Sequence, residues 1–201
     1  MISGLNEQLR RIVLSGVLKE ENASQFLEQI TALECSDIGK PITLYIDTYG
    51  GSVDSALLIY DAIKACCCPI LTVGIGKVMS AGVLLLAAGD PGNRFITQNT
   101  RVMIHEVAGG AFGSISEMEV SVVETRRMQN LYVDLLSRDC EVPKSKIIDD
   151  MKQGEYYMSA EEAVKYGIAD KVVPTRKKIS KKAILSKSKK KTAIRKKKTK
   201  K

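Results

Sequence analysis

Short apolar runs rich in β-branched residues alternate along the chain with longer segments whose apolar positions recur at helical spacing. Ile12-Val-Leu14 is the first short run. Residues 22–34 place Phe26, Leu27, Ile30 and Leu33 three and four apart, which predicts a helix with one buried face. Ile42-Thr-Leu-Tyr-Ile46 predicts a strand, and Asp47-Thr-Tyr-Gly50-Gly51 behind it predicts a turn. Ser52 has the character of an N-cap, with Asp54 in the first turn, and opens a helix carrying Val53, Ala56, Leu57, Tyr60 and Ile63 on one face. Ile70–Ile75 predicts the next strand, and residues 81–88 are apolar on every side, as a wholly buried helix must be.

Gly89–Asn93 then reads as a turn, and residues 94–105 as two short strand-like pieces. The glycine-rich segment 108–113 suits an open-edged segment or a mobile loop better than a core strand. A long helix is predicted over 114–138 and a short one from Pro143 to about Met151. Ser159-Ala-Glu-Glu162 has the capping-box form and starts a helix that stops before Gly167; Ile168–Val173 is the last predicted strand. Repeated β–α–β order predicts an α/β fold with a parallel sheet under packed helices.

Composition divides the chain in two. Of its 31 Lys and Arg residues, 15 fall within 175–201, where there is no acidic residue; the rest carries 16 basic against 23 acidic side chains. The division predicts an acidic folded domain over 1–174 and a disordered Lys/Arg-rich tail over 175–201, too poor in apolar residues to fold. Such a tail can solubilise, or tether the chain to nucleic acid, an acidic protein surface or anionic lipid without reading a base sequence. No segment approaches the ~20 apolar residues of a membrane span. The N-terminus lacks a basic region followed by an apolar one, so a cytoplasmic protein is expected. The five cysteines show no C-x-x-C spacing, and with a single histidine a metal site is not expected. The Asn22-Ala-Ser24 sequon has no meaning without an export route.

That one histidine, His105, ends the run Arg101-Val-Met-Ile-His105. It is the natural proton carrier at neutral pH and has no rival in the chain. Ser80 lies upstream between a predicted strand and a predicted helix, flanked by Ala81 and Gly82. A tight turn there exposes the hydroxyl as a nucleophile beside the free N–H groups of a helix N-terminus, though a serine at this place also suits a plain N-cap. His105 alone suits a core histidine equally. Acyl transfer further needs backbone N–H groups aimed at the oxyanion; those of Gly51 and Ala81 could form such a pair, or Gly50-Gly51 could be an ordinary strand-to-helix turn.

Five segments carry a resemblance: Thr48–Ala56, Gly76–Gly82, Leu85–Arg94, Asn99–His105 and Tyr157–Asp170. In order and spacing they resemble the proteolytic subunit of the ATP-dependent Clp protease, over about residues 10–173. The resemblance implies a serine endopeptidase with the crotonase-like ββα superhelix, acting on unfolded proteins or peptides inside a closed chamber. It implies a homo-oligomer of seven-membered rings stacked in pairs, interlocked by a long handle helix from about residue 114. Ser80 falls on the nucleophile, His105 on the base, and Gly51 and Ala81 on the oxyanion hole. Gly109, Gly110 and Ala111 lie where an extended substrate pairs. No cofactor is implied in this chain; ATP would be used by a partner ATPase of the Clp/Hsp100 type.

Three departures accompany the resemblance. Where the family usually has a third catalytic aspartate, this chain has Glu155, a residue that can also orient an imidazole; Asp149 and Asp150 are the other carboxylates to weigh. Glu106-Val107 follows His105 in place of a polar amide and proline. Only about ten residues precede the first predicted strand, where the family's gate loops meet the ATPase, which counts against an ATPase partner and not against oligomerisation. Two other readings follow: a Clp-like phage head maturation protease, or a catalytically silent ring subunit.

Overall fold

The computed structural model describes residues 4–6 and 9–174. The basic segment 175–201 lies outside them. Among the described residues eight strands form one sheet: β1 (Gly4–Asn6), β2 (Arg11–Leu18), β3 (Ile42–Gly51), β4 (Ile70–Met79), β5 (Arg94–Thr97), β6 (Arg101–Ile104), β7 (Tyr156–Met158) and β8 (Lys171–Val173). Six helices join them: α1 (Glu20–Ser36), α2 (Val53–Ala65), α3 (Ala81–Ala87), α4 (Ile115–Cys140), α5 (Lys144–Lys152) and α6 (Ala160–Lys165). The sheet runs in the order β1-β2-β3-β4-β5-β8, with β6 beside β4 and β7 beside β6. Only the β1/β2 and β6/β7 pairs are antiparallel; the other pairs are parallel, as a β–α–β chain requires.

The helix starts follow local chemistry. The Ser52 hydroxyl accepts the Ser55 N–H at 3.2 Å. Ser114 with Glu117 and Ser159 with Glu162 form reciprocal capping boxes. Every residue of α3 is buried, including Val83, Leu84, Leu85 and Leu86, and the helix packs against β3 and β4. Its all-round apolar sequence leaves it no face for water.

The structure corrects the sequence in three places. The predicted turn over 47–51 is strand: β3 runs on to Gly51, with a register shift between Ile46 and Thr48 against β4 and another between Gly16 and Val17 on β2. A bulge of this kind bends a strand while keeping its ladder, so glycine and aspartate there mark a kink and no chain reversal. The last strand is only Lys171–Val173; Ile168 and Ala169 are buried ahead of it, after Gly167 turns at φ 84° against the Cys140 carbonyl. The strand β7 has no counterpart in the hydrophobic pattern, being three residues long.

One partly buried ion pair locks the far edge. Arg94 meets Asp170 at 2.6 Å and donates to the Asp139 carbonyl at 2.6 Å, tying β5 to the loop before β8 and to the end of α4. Burial raises the Asp170 carboxyl, but the Arg94 hydrogen bonds and charge outweigh it and hold the group below its ordinary value. The cysteines are free thiols. No helix among the described residues is long and apolar enough to cross a membrane.

Candidate active site

The two central strands β4 and β6 run parallel with Lys77 opposite Arg101, Val78 opposite Val102 and Met79 opposite Met103. Both therefore deliver the residues after them to the same C-terminal edge, where ligands of open parallel sheets gather. Ser80 follows Met79, and its N–H donates to the Met103 carbonyl at 2.7 Å. His105 follows Ile104. The result is a contact of 2.8 Å between Ser80 Oγ and His105 Nε2, across 25 residues of sequence.

Ser80 stands at the N-cap position of α3, but its side chain makes no capping bond. Its backbone lies at φ 53° and ψ −129°, a region an L-residue adopts only at a cost of about 1–3 kcal/mol. The hydroxyl is thus turned from the helix toward the imidazole and makes no N-cap bond. His105 is half-buried, and its ring is held by Ser80 rather than by the core.

Gly50 sets how closely β3 can approach. It has φ 93°, and a Cβ there would lie 2.6 Å from Ser80 Cβ and 2.9 Å from the Met79 carbonyl oxygen. The Gly50 N–H is taken by the Thr48 hydroxyl at 3.0 Å. Gly51, one residue on, lines a cavity of about 240 Å³ together with Ser80, Ala81, His105 and Tyr132. Ala81 supplies the first N–H of α3, one of the donors that a helix leaves without an intrahelical partner. Four of the residues singled out from sequence, Gly51, Ser80, Ala81 and His105, therefore surround one cavity.

A second cleft, of about 470 Å³, continues from the first through Glu106 and Val107. Gly109, Gly110 and Ala111 form one of its walls and α4 the other, with Arg126 and Gln129 lining it. Residues 108–113 form no strand in this chain and are largely exposed, with Phe112 fully so.

Glu155 is not at the imidazole. Continuing the β6/β7 register past the pair Ile104 and Tyr156 sets it opposite His105, but its Oε2 accepts the Tyr157 hydroxyl at 2.7 Å. That hydrogen bond holds the Tyr157 phenol above its ordinary range. Among the described residues no carboxylate is hydrogen-bonded to the His105 ring, whose partner is Ser80. Asp149 pairs with Lys152 at 3.5 Å, and Asp150 with Lys146 and the Tyr166 hydroxyl, so neither takes the place expected of Glu155. The backbone brings Glu155 across from His105, while its side chain folds back onto its own strand and meets Tyr157.

Sequence reasoning missed three participants. Both glycines are close-approach positions, Gly51 against Leu18 and Gly50 against Ser80; the Gly-Gly pair signalled the place without saying which residue meets Ser80. Tyr132 donates its hydroxyl to the Ser80 carbonyl at 3.0 Å, and Gln129 accepts the Val107 N–H at 2.7 Å. Both sit far along a helix whose polar and apolar pattern gives no sign of them.

Compared with known families, the chain matches Clp protease over residues 2–176. The matched span takes in every element around the cavity, from β2 to β8. With most of its length matched, this chain belongs to the Clp protease family.

Proposed function

We propose that the chain is a serine endopeptidase, and the observation that carries this reading is the 2.8 Å contact between a strained, non-capping Ser80 and the chain's one histidine. Ser80 Oγ attacks the peptide carbonyl while His105 Nε2 takes its proton; the imidazolium then protonates the leaving amine, and water repeats the sequence on the acyl-enzyme. The N–H groups of Gly51 and Ala81 receive the oxyanion. Glu155 leaves Tyr157 to face Nδ1, which a rotation of its side chain accomplishes from its place across the ladder. Extended, unfolded peptides bind along Gly109, Gly110 and Ala111 by backbone pairing, in the manner of an added strand. The fold is the crotonase-like superhelix, and α4 is its handle.

Ile115, Val120, Val122 and Val123 leave the N-terminal half of α4 with an exposed apolar surface, at 73%, 69%, 55% and 59% exposure. Side chains of this kind call for a partner, and a second copy of the chain in a stacked-ring homo-oligomer supplies it. Family membership supports a Clp-type ATPase partner; its test is whether ATP turnover by such a partner extends cleavage to folded proteins. The exposed position of Glu155, bound to Tyr157, favours a second reading, a silent ring subunit. The two readings part on one experiment: Ser80→Ala should abolish cleavage of short fluorogenic peptides and of unfolded casein while leaving the assembly's mass unchanged. Equal turnover by the variant rejects Ser80 as nucleophile, and a wild-type chain without turnover supports the silent subunit.

A further inference from the structure

Two side chains of α4 reach the candidate site from positions three apart, which share one helix face. Tyr132 donates its hydroxyl to the carbonyl of Ser80, and Gln129 accepts the N–H of Val107, two residues beyond His105. One face of one helix therefore grips the chain just after the hydroxyl and just after the imidazole.

The first grip has a consequence for the oxyanion. The Ser80 carbonyl and the Ala81 N–H are opposite ends of a single planar peptide unit, so whatever fixes the carbonyl aims the amide. The rotation of that plane is set by ψ of Ser80, which stands at −129° beside φ 53°, outside the wells where serine rests unaided. Val83 N–H meets the same carbonyl at 3.0 Å, a bond within the first turn of α3 itself. The Tyr132 bond comes from another element, 52 residues away in sequence. A second donor on one carbonyl also draws electron density from the amide nitrogen and strengthens its N–H as a donor. Tyr132 is 4% exposed, so water does not compete for its hydroxyl. Burial also holds its phenol far above the ordinary range, and it stays protonated at every working pH.

We infer that Tyr132 is a positioning residue that aims and polarises the Ala81 N–H toward the oxyanion, with Gln129 anchoring the chain beyond His105 from the same face of α4. The inference rests on the peptidase reading above. Neither residue need touch the reacting atoms; both act through backbone.

Tyr132→Phe tests it, because the ring is kept and one hydrogen bond is lost. Rates are counted per active site, by titration with a peptide boronic acid that forms a tetrahedral adduct on serine. The expected result is a fall in kcat of about tenfold or more with KM unchanged within about twofold, since the lost interaction acts on the transition state alone. Affinity for the boronic acid, whose adduct places an oxygen at the oxyanion position, should fall by the same factor. A purely structural role lowers the number of sites and leaves both ratios alone. Gln129→Leu should lower kcat likewise, and Gln129→Glu, which keeps an accepting oxygen, should restore it. If Tyr132→Phe keeps its per-site kcat and boronic-acid affinity within about twofold of wild type, the inference is overturned while the peptidase reading stands. A wild-type chain that forms no adduct and cleaves nothing overturns the peptidase reading, and the inference with it.

Discussion

Ser80 occupies a backbone region that L-residues seldom enter, and the groups holding it there come from four places: Met103, Val83, Tyr132 and, by close approach, Gly50. Gly50 is the least replaceable of them. Alanine there carries a positive-φ penalty and forces its methyl onto Ser80, so Gly50→Ala should lower kcat/KM at least 100-fold and cost about 2 kcal/mol of stability. Peptide hydrolysis alongside a denaturant titration checks this, and a variant with wild-type kinetics would remove Gly50 from the site. Glu155 and Tyr157 make a paired prediction at the same scale. If Glu155 serves His105 by leaving Tyr157, Glu155→Gln should cost 100-fold or more in kcat. Tyr157→Phe, which removes the competing donor, should leave kcat unchanged or raised. Loss of activity in Tyr157→Phe equal to that of Glu155→Gln would show instead that the pair acts as a unit.

At the scale of elements, the legible parts were those whose pattern is local. The helices α1, α2 and α6 follow from apolar spacing and from the caps Ser52 and Ser159, and the buried α3 from eight successive small and apolar residues. The continuation of β3 through Asp47–Gly51 was not legible, because a bulged strand and a turn use the same residues. The strand β7 escaped for want of length, and with it the reason why Glu155 lies across from His105. Of the candidate site, Ser80, His105, Gly51 and Ala81 were the residues the sequence pointed to, and the fold brings them around one cavity. Tyr132 and Gln129 were not, since a tyrosine on a long helix looks the same whether it packs or donates. The Arg94–Asp170 pair yields a prediction at this scale. Asp170 titrates below its ordinary value in the folded chain, so its contribution is present above the unfolded value, near pH 4, and is lost as pH falls through the folded one. Asp170→Asn should destabilise the chain by about 1–2 kcal/mol at pH 7 and flatten the fall in stability below about pH 4. Unfolding midpoints across that range decide it; an unchanged acid limb would mean other carboxylates govern it.

The whole molecule joins the candidate site at one sheet edge to a long helix only half of which is buried. Tyr132, Val133 and Leu136 bury the C-terminal half of α4, while its N-terminal half carries exposed valines and Ile115. Charged substitutions there should disperse the assembly without unfolding the chain: Val120→Glu with Val123→Lys should give a smaller particle by mass with an unaltered thermal midpoint. A particle of the original mass would place the interface elsewhere. The basic segment 175–201 should be separable in the same sense, its removal abolishing retention on polynucleotide at low salt and leaving peptide cleavage intact.

Whether the serine at position 80 is activated by the histidine beside it is read most directly by an active-site-directed fluorophosphonate. Mass spectrometry of the labelled wild-type chain should find one adduct, on Ser80, and His105→Ala should form it at least 100-fold more slowly. No adduct on wild type, or one formed as fast without the imidazole, would contradict activation of Ser80 by His105.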